Sequence, residues 1–513
     1  MTSPSENPAR ISPLRWFHIL LLTILLTLAG FIHHDRIARE SLTIDEYWAL
    51  YLATGRGDQL FQIPCYTILN SPPNVGYTNA PSWWYIWTGL DSTTHPPLYH
   101  LILRAWVNLF GESDLATRNL SWLFGVAAVP LLFDAVRRTA GPWRALLAAA
   151  FMALAAAGSD FSQEVRPYTI LVFLGCAICD ILLALRQSGP SIPKLVLLAL
   201  ASAALALTHY FSAGAILAAG LFALVCFRGR TRMLTIASLL AGLLLAAILW
   251  GPVFWKTRHL YDSYQDFWKE TGSGIGLTLR AVARTPIRLL LDPSQHWPWF
   301  TAVPLALLVF FVPIFRFRKS SDLVLWWLWA VCTIAVVVAV DFVHHTTMVG
   351  VLRYVYLASP AIYAILAVAI PGRLGFFTTA VLLLCSTVYG LSRLQTGPQP
   401  MEDWKTMAHL MDKTVGEHDL VAIVGYYPNE PAFDYFVIAH YIGPWKRPVI
   451  FLPGPPNERI KSELAQVPRV WMLGHATSET KRLLPGWTSA ASRGVGTKNF
   501  VWLLKPPPST HLQ

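Results

Sequence analysis

Two adjacent carboxylates, Asp45 and Glu46, stand in S-L-T-I-D-E-Y-W-A-L-Y, just past the first apolar run of the chain. Acids near a membrane surface are costly to leave uncompensated. Their chemical uses are as a base, a charge stabiliser or a cation ligand. The same pair also fits a helix start. Acids in a first turn complement the helix dipole, and Thr43 with Glu46 three residues on makes a capping box. The two readings are compatible.

Three further constellations carry ionisable groups. In His95-Pro96-Pro97-Leu98-Tyr99, the prolines stop any preceding helix and launch a new one from its first turn. They would fix His95 and Asp91 at the mouth of that helix. In Ser162-Gln163-Glu164-Val165-Arg166-Pro167-Tyr168, a carboxylate and a guanidinium lie two residues apart. As a surface ion pair this is worth little. As a site, Arg166 contacts a phosphate and Glu164 orients it or serves as a second acid. Arg353-Tyr354 opens an apolar segment, where an arginine can reach a lipid phosphate. The nearby His344-His345 invites a metal reading, but adjacent histidines on a helix diverge and supply one ligand at most. Trp83, Trp84, Tyr85 and Trp87, then Trp255, Tyr261, Tyr264, Phe267 and Trp268, read by default as interfacial aromatics. Stacking on sugars or lining a prenyl groove is the second reading.

The elements that must position these groups are membrane helices. The 513 residues are 54% hydrophobic and 13% charged, with mean hydropathy +0.45. Soluble domains carry about 25% charged residues. The net charge of +11 marks loops and lipid headgroups rather than nucleic-acid binding. The six cysteines show no zinc or redox spacing. A span needs roughly 17–25 apolar residues. Eleven segments qualify: 16–32, 119–136, 143–159, 168–186, 194–210, 211–227, 233–252, 298–315, 322–341, 353–371 and 374–392. The first is read as a retained anchor rather than a cleaved signal. If Arg10 and Arg15 start inside, the basic loops at Arg137, Arg138 and Arg144, at Arg186 and Lys194, at Arg228, Arg230 and Arg232, at Arg316, Arg318 and Lys319, and at Arg373 also fall inside. This requires that residues 97–110 do not cross. That segment is short and holds His100 and Arg104, so it reads as an interfacial or re-entrant helix. The acids and histidines then collect on the outer face.

The expected fold is thus a polytopic α-helical membrane domain over 1–395, with an outer loop at 33–118, followed by a small extracytoplasmic α/β domain over 396–513. Candidate strands in the latter are 419–424, 447–452, 469–473 and 499–504, with a helix over 431–442. Gly494-Val495-Gly496 lacks the spacing of a phosphate loop.

Together these segments resemble the GT-C superfamily of membrane glycosyltransferases, most nearly its bacterial protein-mannosyltransferase-like and aminoarabinose-transferase-like group. The matching pieces span nearly the whole chain. They are the acidic pair Asp45-Glu46, H-P-P-L-Y at 95–99, F-G-E-S-D-L-A-T-R at 110–118, S-Q-E-V-R-P-Y at 162–168, R-Y-V-Y-L-A-S-P at 353–360 and M-E-D-W-K at 401–405. H-P-P lacks the lysine that several relatives carry near this position.

The resemblance implies an inverting transfer of a sugar from a polyprenyl-phosphate donor to a hydroxyl or phosphate of a lipid, glycan or protein acceptor. The reaction would take place at the outer face of a bacterial cytoplasmic membrane. It gives Asp45 the part of base or charge stabiliser, with Glu46 beside it. His95, Glu164, Arg166, Tyr168, Arg353 and Tyr354 become donor-phosphate or substrate contacts. Some members use a divalent cation, for which Asp45, Glu164 and His344 are the ligand candidates, and no other cofactor is expected. The rival reading is a transporter or flippase of lipid-linked sugars. Transporters place ionisable residues near the midplane and repeat their halves. Here the spans are nearly free of acids apart from Asp134 and Asp180 towards the expected inner side, and no repeat is visible. A third reading, a sensor with an outer ligand-binding domain, lacks an inner domain to relay its signal.

Overall fold

Every one of the eleven apolar segments falls on an apolar helix or helix pair in a computed structural model of the chain. The structure describes residues 13–35, 37–38, 40–89, 95–257, 274–291, 298–317, 322–396, 403–424, 431–443, 445–475, 488–495 and 499–505. Asp91, Tyr261, Tyr264, Phe267, Trp268, Arg318, Lys319, Met401 and Glu402 lie outside the described residues. Two compact units result, one of Met1–Ile37 and Thr93–Gly397, the other of Ala38–Ser92 and Pro398–Gln513. The sequence grouped the outer loop with the helical domain. The contacts instead group its residues 38–92 with the C-terminal unit.

In the helical unit, five helices among the described residues are long and apolar enough to cross a membrane: Asp114–Ala140, Tyr168–Ser188, Gly229–Thr257, Leu323–His344 and Gly372–Ser392. A sixth candidate is the pair Pro142–Leu154 and Ala156–Ser162, bent by 53°. The others, Trp16–Ile32, Ile192–Ala206, Tyr210–Cys226, Phe300–Arg316 and Leu352–Val368, are shorter. Helix Leu98–Phe110 has 13 residues, about 20 Å of rise against the roughly 30 Å of a hydrocarbon core. It buries Tyr99, His100, Leu103 and Val107 along one stripe, while Leu109 and Phe110 are exposed. This is the length and one-sided burial of an interfacial helix.

Lipid supplies no hydrophobic drive between helices, so close packing rests on small residues. A Cβ at Gly175 would stand 2.8 Å from the Trp329 ring, and one at Gly214 would stand 2.6 Å from the Cys332 carbonyl. At Gly125 it would overlap Ser162 Oγ. The bend at Ala155, whose backbone is extended, leaves the Ala153 carbonyl without its helical partner. His33 Nε2 meets that carbonyl at 3.1 Å, and Ser159 Oγ donates to the Ile32 carbonyl at 3.2 Å. The bend thus delivers the short helix Ala156–Ser162 to the turn that carries Glu164 and Arg166.

The second unit holds a five-stranded sheet of order β2-β1-β3-β5-β4. Its strands are β1 (Leu420–Ile423), β2 (Val449–Phe451), β3 (Val470–His475), β4 (Thr488–Val495) and β5 (Asn499–Lys505). β1 runs parallel to β2 and β3, and β5 runs antiparallel to β3 and β4. Leu420, Ala422, Ile450 and Met472 face a small core with Ile460 and Leu464 of helix Glu458–Ala465. β4 was not anticipated, and Gly494 and Val495 lie within it rather than in a loop.

Residues 38–92 join this unit through the free edge of β2. Leu69 pairs with Val449, and the Tyr66 amide donates to the Phe451 carbonyl at 3.0 Å. Covering an edge strand in this way removes a liability. Tyr435 Oη donates to the Pro73 carbonyl at 2.6 Å, and the Leu42 amide donates to Tyr441 Oη at 3.0 Å.

Candidate active site

Several of the sequence candidates in the helical unit come together where three helix connections meet. The first is the turn 163–167. Gln163 Nε2 donates to Ser159 Oγ at 2.8 Å. The Arg166 amide donates to the Glu164 carbonyl at 2.8 Å, and Ser121 Oγ donates to the Arg166 carbonyl at 3.2 Å. Pro167 then opens helix Tyr168–Ser188. With its backbone held, the buried Arg166 lays its guanidinium over the Tyr168 ring, 5.7 Å from the centroid. It also donates to Tyr168 Oη at 3.3 Å.

The second connection precedes Arg353. Buried Asp341 clamps it. One carboxylate oxygen accepts from Thr346 Oγ1 at 2.6 Å and from the Met348 amide at 2.7 Å, and the other accepts from the Val349 amide at 2.9 Å. Arg288 donates to the Gly350 carbonyl at 2.7 Å. The chain so held enters the short helix Leu352–Val355, and the Arg353 guanidinium lies 5.3 Å from the Tyr354 ring.

The third brings together His95 and His209. The Leu98 amide, first in its helix, donates to the Leu207 carbonyl at 3.0 Å. This ties the His-Pro-Pro segment to the turn that carries His209. The two imidazoles meet edge to face at 5.8 Å. The Phe211 amide donates to His209 Nδ1 at 3.2 Å. The His209 ring also lies 6.5 Å from Tyr168 and 6.4 Å from Tyr354. His209, Arg353, Tyr168, Tyr354, Ser212 and Phe211 line one small cavity, and among the described residues no carboxylate lines it. It has room for about one water molecule.

Burial, reinforced by Arg166 and Arg353, lowers the His209 pKa to about 3. Burial, then His209 and Arg166, and to a lesser degree His100 and Arg353, hold His95 well below its ordinary value. The cavity therefore sets the Arg353 guanidinium beside a neutral His209 ring and the Tyr168 and Tyr354 side chains, with Arg166 and His95 close by. Such a set binds an anion with phosphate geometry.

The structure thus brings His95, Arg166, Tyr168, Arg353 and Tyr354 of the sequence candidates to one place. Glu164 is half-buried in the Arg166 turn. His344 ends helix Asp322–His344, and His345 follows with φ +57°. Among the described residues no three His, Cys, Asp or Glu side chains are grouped as a cation cage needs. His209 was not a sequence candidate. Its one signal is an imidazole at the join of two apolar runs.

Asp45 and Glu46 belong to the second unit. Helix Ile44–Thr54 starts with the capping box the sequence allows. The Glu46 amide donates to Thr43 Oγ1 at 3.4 Å, and the Thr43 amide donates to Glu46 Oε2 at 2.7 Å. Glu46 is fully buried. Asp45 is half-buried and takes no part in the box. The helix ends at Gly55, φ +77°, where a Cβ would press on Ile86 at 3.3 Å.

The family described as dolichyl-phosphate-mannose-protein mannosyltransferase matches residues 94–255. Among curated proteins, none matches the sequence. The crystal structure of apo ArnT from Cupriavidus metallidurans is 12% identical, over 94% of this chain and 97% of that one, with TM-score 0.55. The same protein bound to undecaprenyl phosphate aligns with TM-score 0.52 at 12% identity, over the same shares of both chains. The Archaeoglobus fulgidus oligosaccharyltransferase complexed with Zn and sulfate is 13% identical, over 88% of this chain and 67% of that one, with TM-score 0.50. The likeness to the GT-C superfamily read from the sequence holds over the fold, that of a multi-pass membrane protein.

Proposed function

We propose that this chain, which has the GT-C fold of membrane glycosyltransferases, moves a sugar from a polyprenyl-phosphate donor onto an acceptor hydroxyl or phosphate, with inversion. The observation that carries the reading is the small cavity lined by His209, Arg353, Tyr168 and Tyr354, with Arg166 and His95 close enough to act on the same imidazoles. In the reaction the acceptor oxygen bonds to the anomeric carbon as the bond from that carbon to the phosphate oxygen breaks. The electron pair leaves with the phosphate, and the arginines neutralise the charge that develops there. Asp45 takes the acceptor proton as attack proceeds, a role worth about 10²–10⁴ in rate. Glu46 supports the helix that carries Asp45. We further place the reaction at the outer face of a cytoplasmic membrane, with the N-terminus inside and the α/β unit outside, because the basic loops sort that way. The acceptor is a lipid, glycan or protein. A divalent cation stays an expectation from the resemblance alone.

The test uses purified protein in proteoliposomes, given labelled polyprenyl-phosphate sugars and an envelope extract as acceptor. Label should pass to the acceptor with the wild-type protein and fail to pass with Asp45→Asn inserted at the same level. Full transfer by Asp45→Asn refutes the base. Label that crosses the bilayer while no acceptor is modified favours the flippase.

A further inference from the structure

We propose that His209 binds the donor phosphate directly, as a neutral imidazole that donates a hydrogen bond from Nε2. The proposal rests on the reading of the ligand as a polyprenyl phosphate and adds a residue that the sequence motifs did not supply.

The argument begins with the ring's two nitrogens. Nδ1 accepts the Phe211 amide hydrogen at 3.2 Å. A neutral imidazole carries one ring proton, so with Nδ1 accepting, that proton sits on Nε2. Among the described residues Nε2 has no hydrogen-bond partner. The ring is 8% exposed and lines the cavity with Arg353, Tyr168 and Tyr354. The Nε2 N–H is thus left to point a donor into the cavity, and a cavity edged by arginine is where an anion would accept from it. Burial, with the flanking guanidiniums, keeps the ring neutral, and the Phe211 amide at Nδ1 leaves its one proton on Nε2. His209 then adds a directed donor to the pocket without adding a third charge.

The bland alternative is that His209 only caps the turn Tyr210–Ser212 through Nδ1. Two substitutions separate the roles. The Asn side-chain oxygen can replace Nδ1, but Asn does not reach the Nε2 position. The Gln amide nitrogen reaches that position but gives up the cap. Binding of undecaprenyl phosphate, undecaprenol and phosphatidylglycerol is measured by native mass spectrometry on the full chain in nanodiscs, with melting temperature recorded for each variant.

A hydrogen bond to a charged partner corresponds to about tenfold to hundredfold in affinity. His209→Asn should therefore lose at least about tenfold toward undecaprenyl phosphate at an unchanged melting temperature. His209→Gln should stay within about threefold of wild type despite a lowered one. His209→Asn that binds like wild type overturns the proposal. An Asn-sensitive affinity for phosphatidylglycerol equal to that for undecaprenyl phosphate overturns the donor as the source of the phosphate. If the wild-type protein binds undecaprenyl phosphate no better than undecaprenol, the polyprenyl-phosphate reading itself fails. That result is distinct from a wild type that binds and an Asn variant that binds equally.

Discussion

The two acids of the opening pair should separate cleanly under substitution, because the structure engages them differently. Glu46 is fully buried and closes the capping box, with its carboxylate accepting from the Thr43 amide at 2.7 Å. Gln at this position keeps an acceptor oxygen and remains a capping-box residue. Glu46→Gln thus keeps the box while giving up the charge assistance of that hydrogen bond and the dipole contribution of one acid, at least about 1 kcal/mol together. Glu46→Ala loses the box and should cost about 1–2 kcal/mol. Asp45 is outside the box, so Asp45→Asn leaves the helix start intact and should cost less than Glu46→Ala. Its loss from the chemistry should lower transfer by about 10²–10⁴, or roughly 2.7–5.4 kcal/mol of barrier. The assay pairs transfer rates in proteoliposomes with melting temperature in detergent. The expected pattern is a stable, inactive Asp45→Asn and a slightly destabilised, active Glu46→Gln whose rate falls by less than about tenfold. If Glu46→Gln loses as much transfer as Asp45→Asn at wild-type stability, the division of labour is wrong.

Other outcomes follow from the packing and charge around the pocket. Gly125→Ala should cost about 1–3 kcal/mol by driving its methyl into Ser162, just before the Arg166 turn. Adding Ser162→Ala should restore part of the loss, and additive melting-temperature shifts would contradict the contact. Asp341→Ala removes three hydrogen bonds from the turn before Arg353. It should raise the donor KM and lower stability by about 3 kcal/mol, with Asn milder. A donor KM untouched by either substitution would detach Asp341 from Arg353. Because the folded-state pKa of His209 is about 3, below the ordinary 6.5 or so, the unfolded or opened state binds the extra proton. The stabilising effect of the neutral ring is present in full above about pH 6.5 and falls by about 1.4 kcal/mol per unit as pH drops toward 3. Thermal scans at pH 7.5 and 4.5 should show this loss, and His209→Gln should lack His209's share of it.

Much of this was legible because the signals are local. An apolar run of helical length, a Pro-Pro helix start and Thr43 with Glu46 each encode their structure within a few residues. The strands at 419–424 and 447–452 were legible for the same reason, being β-branched and apolar. β4 was not, since T-S-A-A-S-R-G-V has little strand propensity and becomes a strand by pairing with β5. The grouping of residues 38–92 with the C-terminal unit rests on Leu69 pairing with Val449, a contact between residues far apart in sequence that no local pattern announces. His209 was missed for a related reason. A single histidine has no spacing to read, and its role appears only when Leu98 binds Leu207 and the turn meets Tyr168 and Arg353.

The pocket's economy lies in how many of its donors carry charge. Two unit charges about 6 Å apart repel by roughly 3 kcal/mol at an effective dielectric of 20. Protonating both His95 and His209 beside Arg166 and Arg353 would add several such pairs, which the low histidine pKa values avoid. Neutrality also bears on turnover. In the proposed reaction the phosphate must be held as it leaves the sugar and then released as product. Four cations would bind the ground-state donor and the product as firmly as the transition state, which does not raise the chemical rate and slows release. On the proposed reading, two arginines with neutral donors nearby would hold the anion by direction as well as by charge. Hydrogen bonds of fixed geometry can favour the one arrangement in which charge has moved onto the phosphate oxygen. On this argument a lysine at position 209 would bind undecaprenyl phosphate more tightly than the native chain and yet transfer sugar more slowly.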